Sequence, residues 1–351
     1  MTAPGRAARL AAAATVLAGA ALVFVRCGAP RPVLHVYAWA DYFKPAIIAR
    51  FESEHGCRVV IDTFDSNEAM YAKLKAGAAG YDVLTPTSYM VSLMNGQGML
   101  RKLDRTRLPN LVHVDPEYLR LALDPDMDHS APYMVVNTVI AYLKSRVAGF
   151  EPSWSMFDRR DLRGRMTMLN DLRETIGAGL KSLGFSINST DPGELDRAKE
   201  VVLRWKTNLA KFENEQYKTG LASGEFLLVQ GYSGDILQVQ RENPDVAFAA
   251  PREGTVISVD DLVILREAPE PGLAHAFINF LHDPAVAAEN TAFLSYLCPN
   301  KDAYPLLSDE LRNNPGVFLE PGVRARSEII ADLGEANALY TRIWDEIKSA
   351  R

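Results

Sequence analysis

Apolar positions along the chain switch repeatedly between a period of two and a period near 3.6. Leu34–Ala38 reads as a short strand, and Pro45 opens a helical stretch that reaches His55 and ends at Gly56. Arg58–Phe64 is a β-branched strand. Asp65 and Ser66 offer caps for a helix from Asn67 to about Ala79, with Met70 and Leu74 on one face. Tyr81–Thr85 is a third strand, stopped by Pro86. This alternation predicts an α/β architecture with a largely parallel sheet.

The pattern resumes further on. Asn137–Tyr142 reads as a strand leaving the first region, Arg165–Leu169 as another, and Asp171–Leu183 as a helix. Asp191-Pro192-Gly193-Glu194 marks a helix start: a cap, proline at the first position, and glutamate three after the cap. Strands are expected at Glu225–Gln230, Val246–Ala250 and Val259–Leu265, the last returning toward the first region. An amphipathic helix follows over Gly272–His282, and the tail from about 305 to 351 is expected to be mostly helical.

The first residues carry Arg6 and Arg9 and no acid, followed by the apolar run Leu10–Val25. A basic segment before an apolar one is a secretory signal. The run falls short of the roughly 20 residues that a free-standing membrane span needs. Cys27-Gly28-Ala29-Pro30 suggests lipoprotein processing with the Cys27 thiol lipidated. Arg26 stands where a small residue is expected, which leaves a soluble secreted form and an uncleaved anchor open. All three place the rest of the chain outside the cytoplasm, in the periplasm or its equivalent. The expected layout is a signal peptide at 1–26 and a tether at 27–33.

An apolar content of 48% and a charged content of 23% are those of an ordinary globular protein. The chain beyond the leader is long enough for two domains with full cores. A net charge of −6 argues against nucleic acid and favours a cationic ligand. Cys57 and Cys298 either pair or remain two buried thiols, and neither has metal-ligand spacing around it. The acid-rich Asp124–Asp128 segment fails as a calcium loop, because His129 and Val135 occupy the positions that need Gly and Glu. It reads as a polar turn.

Hydrolase and nucleotide-binding signatures are missing from the sequence, and its six histidines are scattered. Ser233 lies between Gly231 and Gly234 at the wrong spacing for a nucleophile elbow. What recurs is polar and aromatic residues where strands end, the edge at which α/β sheets bind ligands. Trp39-Ala40-Asp41-Tyr42 puts a carboxylate between two aromatic rings, a pairing suited to an organic cation. Thr85–Tyr89, Asn170–Glu174, Tyr232 with Asp235, Val259–Asp261 and Ser295-Tyr296 occupy similar positions. Each is also readable as a turn or cap: Asp171 is placed to cap its helix with Glu174 as its box partner.

Several of these stretches resemble the periplasmic polyamine-binding proteins, the spermidine/putrescine receptors of ABC importers. They are Leu34–Tyr42, Asp65–Lys75 with its Ser-Asn-Glu-x-Met-Tyr-Ala-Lys-Leu run, Tyr81-Asp82-Val83, Asp171–Glu174, and Ile278–Leu281 through Tyr296. The resemblance implies a two-lobe type II periplasmic binding fold, with mixed, largely parallel sheets flanked by helices and a ligand cleft between lobes. It implies lobe 1 at 34–136 plus 259–304, and lobe 2 at 137–258 plus 305–351. It places Trp39, Asp41, Tyr42, Tyr89, Asp171, Glu174, Tyr232, Asp235, Asp260 and Tyr296 on ligand positions, with Thr87 in place of a serine. Asp171 and Glu174 would hold one end of the ligand and Asp41 the other. Asp235 and Asp260 would serve an inner or near-end nitrogen, and Trp39, Tyr232 and Tyr296 would form an aromatic box.

Two positions depart from the family. Ser258 stands where a large aromatic is usual, and Ile330 where some spermidine-selective members carry a polar group. Asp41 points toward putrescine and Asp171 and Tyr89 toward spermidine, so the preference stays open. The implied partners are a polyamine ligand and an importer permease, plus a membrane if Cys27 is lipidated. Nucleic acid, cofactor, metal and catalytic turnover are not expected, and the protein is expected to be a monomer. A polyamine sensor without transport, or another small cation on the same fold, remain the alternatives.

Overall fold

The computed structural model describes residues 31–119 and 123–350, so the expected leader at 1–26 and Cys27 lie outside the described residues. The first region runs β1 (Val33–Trp39), α1 (Pro45–His55), β2 (Arg58–Phe64), α2 (Asn67–Lys75), β3 (Val83–Leu84) and α3 (Ser88–Gly96). Gly56 closes α1 in the left-handed conformation, at φ 62°. Ser66 caps α2 by accepting from the Ala69 amide at 3.2 Å. The helix stops short of Ala79 because Gly77 takes φ 98°, which helical backbone cannot continue.

The chain continues through β4 (Ser130–Leu143), β5 (Met166–Met168), α4 (Leu172–Ser182), α5 (Pro192–Lys206), β6 (Leu209–Phe212), α6 (Gln216–Ser223) and β7 (Leu228–Tyr232). It then forms α7 (Ser233–Glu242), β8 (Val246–Ala249), β9 (Val256–Ile264), α8 (Pro271–Leu281), α9 (Pro284–Leu294), β10 (Glu328–Ile329) and α10 (Asn337–Ser349), leaving single-turn helices unnumbered.

The strands lie in the order β2-β1-β3-β9-β4-β7-β5-β6, with β8 beside β4 and β10 beside β9. The β1–β2, β1–β3, β5–β7 and β5–β6 ladders are parallel. The ladders that β4 makes with β9, β7 and β8 are antiparallel. The α/β architecture is the one that the strand–helix alternation predicted, but the sheet is mixed rather than largely parallel: β9 also runs antiparallel to β3, because the chain returns through β4 and β9 without a helical crossover between neighbouring strands. The long β4 joins the two halves: Ser130–Asn137 pairs with β9, whereas Thr138–Leu143 lies between β7 and β8.

β4 begins seven residues before the expected Asn137. Pro132, which argues against a central strand, is accommodated because the β4–β9 register shifts between Pro132 and Met134. β4 is buried along almost its whole length, so no alternation betrays it.

Each half has its own apolar core. Leu34, Phe51, Tyr133, Phe277 and Ile278 fill one face of the first sheet, and Tyr37, Met70, Leu84 and Met90 the other. Trp154, Phe157, Trp205 and Val229 fill the second half, where Tyr340, Ile343 and Trp344 of α10 join them. The tail is less helical than its composition suggested. Pro315, Pro321, Gly322 and Gly334 break the stretch before α10 into short turns.

Cys57 and Cys298 are both buried free thiols, and burial pushes Cys298 up to about 12. The Asp124 carboxylate accepts from the amides of Asp128, His129 and Ser130, which makes this acidic segment a self-capped turn. Among the described residues, no helix is long and apolar enough to cross a membrane.

Candidate ligand-binding cleft

All eleven residues expected to touch ligand line a single cleft of about 760 Å³, counting its solvent-open mouth. They reach it from the carboxyl ends of β1, β3, β5 and β7, from mid-β9, and from the turn after α9. Ala40, Asp65, Asn67, Val136, Asn214, Glu215, Lys218, Ser258 and Ile330 complete the lining.

One pole holds Asp171 and Glu174. Asp171 caps α4, its Oδ1 accepting from the Arg173 and Glu174 amides at 2.8 and 3.0 Å. Asp171 therefore caps its helix and also lines the cleft. Glu174 does not return to its cap as a box partner. Its Oε2 accepts from Thr138 Oγ1 at 2.6 Å and its Oε1 from Ser258 Oγ at 3.3 Å. Burial raises Glu174 to about 8, with the Asp171 charge adding to the effect. Ser258, the missing aromatic, is thus a hydrogen-bond donor to the pole, and Ile330 supplies apolar surface there.

Behind this pole, Tyr89 Oη donates to Glu68 Oε1 at 3.0 Å. The buried Arg173 guanidinium lies 5.6 Å from the Tyr89 ring and 4.9 Å from that of Tyr340. Burial raises Glu68, with Asp171 adding to it. Sequence reading assigned no site role to Glu68 or Arg173, although both lie within the stretches that carry the family resemblance.

In the middle stands Asp260 on β9. Its Oδ2 accepts from Tyr42 Oη at 2.5 Å and its Oδ1 from Thr87 Oγ1 at 2.6 Å. Burial raises it to about 6, against the lowering effect of those two bonds. Asn67 fixes Thr87 from behind, its Oδ1 accepting from the Thr87 amide and its Nδ2 donating to Thr87 Oγ1, both at 3.1 Å.

The other pole gathers Asp235, Glu215 and Asp41. Asp235 accepts from Tyr217 Oη at 2.6 Å and from Tyr296 Oη at 2.8 Å. Tyr296 lies against Gly234, where an added Cβ would come within 2.6 Å of the ring. Asp41 takes a left-handed φ of 54°, and its side chain is 82% exposed. Its carboxylate lies 3.8 Å from Lys218 Nζ, a residue that the local sequence did not mark. Asn214 bridges the two sides of the cleft, donating to the carbonyl of Asp65 at 3.0 Å and accepting from the Asn170 amide at 2.9 Å.

Trp39, Tyr232 and Tyr296 add aromatic surface to the cleft lining, with Trp39 packed on Phe64 at 4.5 Å between ring centroids. Carboxylates separated by aromatic walls satisfy a cation that carries apolar segments: each ammonium leaving water needs acceptors, and each methylene needs flat apolar surface.

Two α/β halves sharing a strand, with an acidic, aromatic-walled cleft between them, define a solute-binding protein of the periplasmic type. The chain belongs to the bacterial extracellular solute-binding protein family, which it matches over residues 46–318. A putrescine/cadaverine-binding protein of Pseudomonas aeruginosa is 34% identical, covering 97% of this chain and 99% of the relative. A spermidine/putrescine-binding periplasmic protein of Salmonella typhimurium is 31% identical, covering 91% of this chain and 92% of its own. Among solved structures, the TpPotD lipoprotein of Treponema pallidum superposes with a TM-score of 0.81 at 31% identity, covering 90% of this chain and 99% of that one.

Proposed function

We propose that this protein is an extracytoplasmic polyamine receptor that delivers putrescine or spermidine to an ABC importer permease. The observation that carries the reading is the convergence of all eleven expected residues on one cleft with carboxylates at both poles and aromatic rings between. Asp171 and Glu174 anchor one ammonium. Both cap bonds of Asp171 end on Oδ1, which leaves Oδ2 for the ligand. Asp260 takes an inner nitrogen, and Trp39, Tyr232 and Tyr296 cover the methylenes.

The two sheet halves act as lobes, residues 34–136 plus 259–304 and residues 137–258 plus 305–351, which close on the ligand. Repulsion among the cleft carboxylates favours the open empty form, and a polycation removes it. The family is one of solute receptors, which supports binding without turnover. Lipidation of Cys27 would tether the receptor at the membrane, and it acts as a monomer. Calorimetry of the leaderless protein against putrescine, cadaverine, spermidine and spermine tests the reading. Binding tighter than about 100 µM, roughly −5.5 kcal/mol, is expected for at least one. Weaker binding of all four overturns it.

A further inference from the structure

One pole of the cleft already holds an ammonium, and it belongs to the chain. Lys218, in the first turn of α6, places Nζ 3.4 Å from Glu215 Oε2, 3.8 Å from Asp41 Oδ2 and 4.0 Å from Asp235 Oδ2. A committed charge-assisted bond is shorter, about 2.7–2.9 Å. Lys44 and Glu289, on the outer surface, make such a bond at 2.8 Å. Lys218 is instead held among three carboxylates without being committed to one, as a bound cation is held in an anionic cage. Its side chain is 25% exposed and lines the cleft. Burial opposes its charge, but Asp235, Glu215 and Asp41 together outweigh burial and keep it protonated. Two of these partners are acids that the polyamine reading gives to the ligand: Asp41 to its far end, and Asp235 to an inner or near-end nitrogen.

We propose that Lys218 is a resident ammonium that sets ligand length. It fills the Asp41–Asp235–Glu215 pole, so the cleft admits a short diamine and discriminates against triamines and tetraamines. The Asp171–Glu174 pole and Asp260 remain for the two ammonium groups of the diamine. A longer polyamine brings a third ammonium toward a fixed positive charge of the same kind, and either that charge or the ligand must leave the cage. Discrimination of this sort comes from a repulsive element built against the wrong ligand. The inference rests on the polyamine reading and specifies its substrate class.

Calorimetry with putrescine and spermidine on wild type, Lys218→Met and Lys218→Arg tests it. Methionine keeps much of the stem and removes the charge; arginine keeps the charge. Wild type is expected to prefer putrescine. In Lys218→Met the spermidine-to-putrescine affinity ratio rises at least about tenfold, and in Lys218→Arg it stays within about threefold of wild type. Lys218→Gln repeats the measurement should the methionine variant melt well below wild type. An unchanged ratio in a folded, charge-free variant overturns the role of Lys218 and leaves the polyamine reading standing. Failure of wild type to bind either amine overturns both.

Discussion

Tyr42 Oη donates a 2.5 Å hydrogen bond to Asp260 Oδ2, tying the turn after β1 to the middle of β9. Thr87 holds the other oxygen of the same carboxylate. The acid is therefore oriented before any ligand arrives, and little ordering remains to oppose binding. Replacing Asp260 with Asn removes the charge and mispairs one of its two donors. Hydrogen bonds to charged groups contribute about 1.5–3 kcal/mol, so putrescine affinity should fall about 10- to 150-fold. Calorimetry reads the loss, and unchanged circular dichroism separates it from unfolding. The variant should also lose part of the salt dependence of binding; equal affinity and equal salt dependence would sink the role of Asp260.

Burial holds Glu174 at about 8 and Asp260 at about 6, and an ammonium ligand binds their ionised forms. Binding lowers both pKa values and releases protons. Near pH 7 the release should approach one proton from Glu174, and affinity should fall as pH drops through about 8 and then about 6. Calorimetry in two buffers of different ionisation enthalpy measures the count. Glu174→Gln should release markedly fewer protons.

The same shift acts on stability with the opposite sign. A carboxyl raised from 4.5 to about 8 on folding stabilises the empty protein fully below 4.5, and that contribution is lost as pH rises through about 8. The melting temperature of ligand-free protein should carry this downward component across that window. Glu174→Gln should flatten it, and saturating ligand should oppose it.

Tyr232 lines the cleft, and the polyamine reading has its ring face cover the ligand. Each such face adds roughly 0.5–2 kcal/mol of cation–π attraction, so Tyr232→Leu should weaken putrescine binding about 2- to 30-fold. Tyr232→Phe keeps the face and should stay near wild type. A phenylalanine variant as weak as the leucine one would shift the role from the ring to the hydroxyl.

Gly234, in the first turn of α7, lies directly against Tyr296. A methyl there would meet ring carbons at 2.6 Å, so Gly234→Ala must displace the ring and its bond to Asp235. Overpacking of this kind destabilises by about 1–3 kcal/mol. Both the melting temperature and ligand affinity should drop. A fall in melting temperature alone would remove Tyr296 from the ligand wall.

Local pattern made much of this legible. Strand ends carry short-range signals, and so Trp39–Tyr42, Asp171–Glu174 and Tyr232 with Asp235 stood out without a structure. The N-caps Ser66, Asp171 and Asp191 were readable because a cap bond spans only two or three residues. β4 was legible only in part, because Pro132 hides in a register shift that the partner strand creates.

The sequence by itself determined the alternation of strands and helices, the acids and aromatics at strand ends, and the family that they resemble. Tertiary structure decided how those groups act on one another. Ser258 looked like a missing wall until β4 and β9 brought it and Thr138 onto Glu174. Asp41 looked like a free anchor until α6 carried Lys218 to 3.8 Å from it. Element type follows from neighbours along the chain, whereas charge state and pairing follow from burial and from partners distant in sequence, which only the folded chain brings together.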